Sequence, residues 1–179
     1  MDLTSIVQSM EASAIADWMR TSIKAMPFVE SIHVLAAATV FGTIFIVDLR
    51  LLGFPDTRRP FTRVSDELLR LTWAAFFFAV VTGLLMFAAN ANTYFGNTAF
   101  RLKMLALLGA GLNMAIFQRI TFRSVAAWDE RSPSPLAGRV AGAVSILIWV
   151  TVIFLARWIG FTKGYDFAVP ENVDLDFEF

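Results

Sequence analysis

The sequence predicts an all-α membrane protein: a four-transmembrane-helix bundle with an N-terminal interfacial amphipathic helix. Three observations predict it. Hydrophobic residues make up 57% of the 179 and charged residues only 17%, against about 45–50% and about 25% in soluble domains. Four apolar runs approach the roughly 20 residues that a hydrocarbon core of about 30 Å requires. Between them lie "GFPDTRRPFTR", "NANTYFGNT" and "DERSPSPLAGR", whose Pro, Asn and Ser mark turns.

The elements follow in order. In residues 1–26, Leu3, Ile6, Val7, Met10, Ile15, Trp18, Met19 and Ile23 recur at helical spacing with charges between them. This is the pattern of a helix lying in the lipid interface or packed on the end of a bundle. No basic n-region opens it, so no cleavable signal peptide is expected. The bundle covers 27–162, with spans at about 28–52, 71–89, 102–117 and 140–161. Residues 163–179 form an acidic aromatic tail. Asp166, Glu171, Asp174, Asp176 and Glu178 alternate there with Phe167, Leu175, Phe177 and Phe179. Such a tail suits docking onto a basic protein surface; a solvated end is the alternative.

Lysine and arginine set the expected orientation. The connections after the first and third spans carry Arg50, Arg58, Arg59, Arg63, Arg70, Arg119, Arg123, Arg131 and Arg139, nine in all. The opposite side has six: Arg20, Lys24, Arg101, Lys103, Arg157 and Lys163. The nine belong in the cytoplasm, which places both termini outside, in the periplasm of a bacterium, with the bundle in the inner membrane. The formal net charge is zero, so no global field attracts nucleic acid. Cysteine is absent, which removes disulfides, thiolate metal sites, iron–sulfur clusters and covalent c-type haem.

Ionisable groups inside a membrane are costly and mark candidate sites. The first span holds the only histidine, His33, within "ESIHVLAAATVFGTIFIVDLRLLG". Glu30 and Asp48 are 18 residues apart, five helical turns, so Glu30, His33, Ala37, Ile44 and Asp48 share one face. The alternating directions of the spans bring Glu30, His33, Met86, Lys103 and Arg157 to one depth on the outer side. Each has a plainer reading. Lys103 and Arg157 can snorkel, Glu30 can pair with Arg157, and His33 can bond to a backbone carbonyl. Asn113 on the third span, near Gly109 and Gly111, suits interhelical packing.

Ligand chemistry is narrowed by count. One Glu-x-x-His is half of a di-metal carboxylate site, and no second copy exists. Zinc lacks enough nitrogen and sulfur donors, and bis-histidine ligation within one chain is impossible. Haem b remains, with His33 alone or paired with Met86 or Met104 and with Lys103, Arg101 and Arg157 as cations for its propionates. Copper held by His33 and Met86 is the other possibility.

"ESIHVLAAATVFGTIFIVDLRLLG", "NTAFRLKMLALLGAGLNMAIF" and "ARWIGF" together resemble a family of small bacterial four-helix inner-membrane proteins with no established function. The likeness spans roughly residues 15–162. More remotely, the first helix is similar to that of copper-resistance D-type membrane proteins and of four-helix b-type cytochromes. That remote likeness implies architecture and leaves mechanism open.

The expected function is a membrane-embedded b-type haem protein that transfers electrons near the periplasmic face, from quinone to a periplasmic cytochrome c. The alternatives are an accessory subunit of a larger membrane complex and a copper or small-solute permease. A homo-oligomer is expected, because four short helices bury little interior and Ala36, Thr39, Gly42, Gly109 and Gly111 offer close-packing surfaces.

Overall fold

The computed structural model describes residues 2–54, 60–129 and 134–162. The acidic tail, with the docking expected of it, lies outside the described residues. Seven α-helices follow one another: α1 (Leu3–Glu11), α2 (Ala14–Thr21), α3 (Ala25–Leu52), α4 (Phe61–Ala89), α5 (Ala91–Gly96), α6 (Thr98–Ile120) and α7 (Leu136–Thr162). A 3-10 turn, Phe122–Ala127, follows α6. Helices α3, α4, α6 and α7 are long and apolar enough to cross a membrane. The protein is an all-helical membrane protein.

Local chemistry explains where the elements begin and end. The N-terminal segment, expected as one amphipathic helix, is two. Ser13 breaks it: its extended backbone cannot continue α1, and its side chain accepts from the Ala16 N–H to cap α2. Helix α3 ends at Gly53, whose φ of 94° is left-handed. The Gly53 and Phe54 N–H groups return to the Arg50 and Leu49 carbonyls. Helix α4 begins at Phe61, ten residues before the expected span start at Leu71. Arg63, Asp66, Glu67 and Arg70 occupy these early turns and are exposed, so they extend the helix beyond the apolar segment. The "NANTYFGNT" connection contains the short helix α5.

Helix α3 is the axis of the bundle. It packs along α4 on one side and α7 on the other, while α6 packs along α7. Buried polar contacts tie these seams together. Thr72 donates to Thr43 Oγ1 at 2.8 Å between α4 and α3. Asn113 Nδ2 donates to the Ala141 carbonyl at 3.0 Å between α6 and α7. Interhelical hydrogen bonds of this kind average about 0.6 kcal/mol in a bilayer. The interior is small: within the apolar window of α6 no residue is buried. Leu105, Leu108 and Leu112 of that helix stand 62–70% exposed, and lipid is the solvent for such surfaces. Gly42 and Gly111 also face open space, whereas Gly109 faces Ile148.

Two clusters of buried apolar side chains stand at the two ends of the bundle. Met19, Ala25, Val29 and Ala89 form the first, with Met26, Leu85 and Met86 packed against it. Leu51, Phe61 and Trp128 form the second, with Val47, Phe117 and Val125 around them. Phe61 and Trp128 stand 5.3 Å apart by ring centroids.

Helix α4 supplies neither of its own terminal charges: its first turn has no acid and its last turn no base. Both come from distant segments. Asp129, after the 3-10 turn, accepts from the Thr62 N–H at 2.8 Å and from the Thr62 hydroxyl at 2.8 Å. Its carbonyl accepts from the Phe61 N–H. At the other end Arg20 donates to the Ala89 carbonyl and to the Glu11 carbonyl, each at 3.0 Å. A carboxylate at the N-terminus and a guanidinium at the C-terminus both favour the helix dipole. Glu11 completes the second contact by accepting from the backbone and side-chain N–H groups of Asn92 at 2.7 and 2.8 Å. This docks the α1–α2 hairpin on α4 and α5.

Candidate functional site

His33 sits eight residues into α3, on the order of 12 Å from its start, and faces α4. Its Nδ1 lies 3.0 Å from Thr82 Oγ1. The Thr82 hydroxyl has one proton, and it donates that proton to the Phe78 carbonyl at 2.6 Å. While it does so, Thr82 Oγ1 accepts from the imidazole. The Ala79 carbonyl also lies against the ring. In this arrangement the proton is on Nδ1. In the neutral ring this leaves Nε2 with its lone pair, the arrangement found in histidine ligands whose second nitrogen is anchored.

Gly83 lets this happen. A Cβ at position 83 would stand 3.2 Å from His33 Cε1 and 3.6 Å from Nδ1. The imidazole lies against the α4 backbone where any other residue would push it away. The charged groups acting on the ring are Lys103 from α6 and Glu30 from its own helix. Lys103 is half-buried and holds its ammonium 5.1 Å over the Phe100 ring. Glu30 is exposed.

The structure thus brings together His33, Glu30 and Lys103 from the expected set. Met86 packs on the Met19–Val29–Ala89 cluster beside them. Arg157 is exposed and stacks its guanidinium 4.9 Å over Phe161. Arg101 is exposed and reaches Thr98 Oγ1 at 3.4 Å. Asn113 bridges α6 and α7 at a separate level. Among the described residues, no group of three or more His, Cys, Asp or Glu could hold a metal ion.

Asp48 lies near the other end of α3 and is 6% exposed. The Ser145 side chain of α7 stands beside its carboxyl. Gly142 makes the contact possible: a Cβ there would meet the Asp48 carbonyl oxygen at 3.0 Å. Arg50, two residues on, is 2% exposed and donates from Nη2 to the Asp129 carbonyl at 3.2 Å. An open cleft of about 590 Å³ at this end is lined by Thr62, Arg63, Asp66, Glu67, Arg70 and Asp129 among others. Two of its carboxylates have partners on the wall: Asp129 holds Thr62, and Glu67 pairs with Arg63 at 3.3 Å.

Sequence reasoning missed Thr82, Gly83, Gly142 and Ser145. The first two left a signal: "VVTGLL" is the polar and small interruption in an otherwise apolar half-span. The profile of a family of unknown function matches residues 13–162. No curated protein and no solved structure matches the chain.

Proposed function

The chain belongs to the DUF6644 family of unknown function, and from its geometry we propose that it is a membrane-embedded b-type haem protein for electron transfer, with His33 as axial ligand. The observation that carries this reading is the anchored imidazole. With Thr82 Oγ1 accepting the Nδ1 proton, Nε2 keeps its lone pair and is free to bind a metal.

The donor set favours haem over a protein-caged ion. A single histidine with no third ligand nearby cannot satisfy copper or zinc alone, whereas a porphyrin brings four nitrogens of its own. Haem supplies a one-electron couple whose potential follows axial ligation and local polarity. His33 would hold it. Lys103 offers a cation for a propionate in a site otherwise poor in counter-charge, and the exposed Arg101 and Arg157 stand at the same end of the bundle. Thr82, itself bound to Phe78, fixes the ring orientation and tautomer. Gly83 leaves room for that orientation.

The excess of Arg on the Asp48 side supports N-out, C-out insertion, with His33 toward the periplasm of a bacterial inner membrane. A membrane quinone is then the natural donor class and a periplasmic cytochrome c the acceptor class. The visible spectrum of protein purified from a haem-replete host tests the reading. A Soret band with reduced α and β bands is expected in the wild type and lost in His33→Ala that remains folded by circular dichroism. A featureless wild-type spectrum overturns the proposal and leaves an accessory subunit as the better reading. Full haem retention in His33→Ala overturns the ligand assignment.

A further inference from the structure

Asp48 plays no part in the His33 site, and its surroundings are unusual for a carboxyl. It lies four residues from the end of α3, in the seam with α7, at 6% exposure. Ser145 of α7 stands beside one carboxyl oxygen. The other, Oδ2, is fully enclosed and has no hydrogen-bond partner. Gly142 brings the α7 backbone against the Asp48 carbonyl, so the seam is tight around the side chain.

Among the described residues no counter-charge pairs with it. On α3 itself Arg50 turns to the Asp129 carbonyl. The charged residues of α4 at this level, Arg63, Asp66, Glu67 and Arg70, are exposed, as is Arg139 of α7. None of them pairs with Asp48; the ion pairs among the described residues are Arg20–Asp17 and Arg63–Glu67. An enclosed carboxylate with one bare oxygen and no cation is a costly arrangement, and a bilayer offers no water to relieve it. The neutral acid has no charge to solvate, and its lone O–H is a single neutral donor whose burial costs far less than that of a bare carboxylate.

We propose that Asp48 is an intramembrane proton-binding site, its carboxyl carried as the neutral acid with the proton on Oδ2 and Ser145 donating to Oδ1. The ligand of this site is the proton, exchanged from the Arg-rich side of the bundle. Release of that proton would leave a bare anion between two helices in contact, so the α3–α7 seam is the element that responds. The site stands independently of haem at His33.

Infrared difference spectroscopy on the full chain in nanodiscs near neutral pH tests it. A protonated-carboxyl C=O band is expected that shifts down in D2O, disappears in Asp48→Asn and moves in Ser145→Ala, which deprives the acid of its donor. Absence of any such band from the wild type overturns the proposal, as does a band that persists in Asp48→Asn. Should Asp48→Asn fail to fold, Ser145→Ala decides: a wild-type band that it leaves in place overturns the assignment, and a shifted band supports it. None of these readings depends on haem content.

Discussion

The two ends of α3 are built differently. At the Arg50 end every element is locked to another. Arg50, 2% exposed, holds the Asp129 backbone. Asp129 holds the start of α4 through three hydrogen bonds. Phe61, Trp128 and Leu51 close over them as one cluster. At the His33 end the imidazole is half-buried and fastened on one side, while Glu30, Arg101 and Arg157 are exposed. One end is built for stability, and under the haem proposal the other keeps the His33 nitrogen available. The difference teaches where each kind of substitution will register.

The largest expected effect comes from breaking the lock. Arg50→Met takes a buried donor from the Asp129 carbonyl and loses the packing of a buried side chain, and should cost about 3 kcal/mol, read as a loss of reversible unfolding free energy in mixed micelles. Wild-type stability in that variant would make the two ends equivalent. Gly142→Val should cost about 1–3 kcal/mol through overpacking, because its Cβ meets the Asp48 carbonyl oxygen at 3.0 Å. A backbone atom cannot step aside as a side-chain tip can. Reduced crosslinking between cysteines placed in α3 and α7 would report the separation. Asp129→Ala removes the borrowed cap of α4 and should cost about 1–2 kcal/mol; faster amide exchange confined to the first turn of α4 is the specific sign.

The smallest stability effect belongs to the other end. Thr82→Val should cost about 0.6 kcal/mol, the typical worth of such a bond in a membrane. Its chemical effect is larger. Nitrogen chemical shifts of the His33 ring should show an Nδ1–H tautomer in the wild type and a weaker preference in the variant. Unchanged shifts would mean that the Ala79 carbonyl alone holds the ring.

Much of the fold was legible because a bilayer imposes a simple rule: apolar runs long enough to span become helices. The span ends were less legible. The exposed Arg63–Arg70 segment has no apolar run, so its membership in α4 follows from helix continuity and from Asp129 at its start, which no local pattern reveals. The break at Ser13 is written in a side chain that caps α2, and periodicity averages over it. Of the candidate site, His33, Lys103 and Glu30 were singled out from spacing and depth. The anchors Thr82 and Gly83 were not, since their importance lies in contacts with a residue 49 positions away. Arg50 read as a loop cation counting toward orientation, and the structure buries it.

The Thr62–Asp129 pairing spans 67 residues, and this sets an order of events during synthesis. Helix α4 leaves the ribosome with no acidic group of its own to satisfy its first turn. At roughly 5–20 residues per second, Asp129 follows Thr62 by roughly 3–13 s, after α5 and α6 have been made. Until then the first amides of α4 rest on water at the membrane surface. The start of α4 therefore latches only after α6 has been made. A nascent chain arrested before the 3-10 turn should hold α4 in an unfinished state, open to proteases at its beginning, and release of the next few residues should close it.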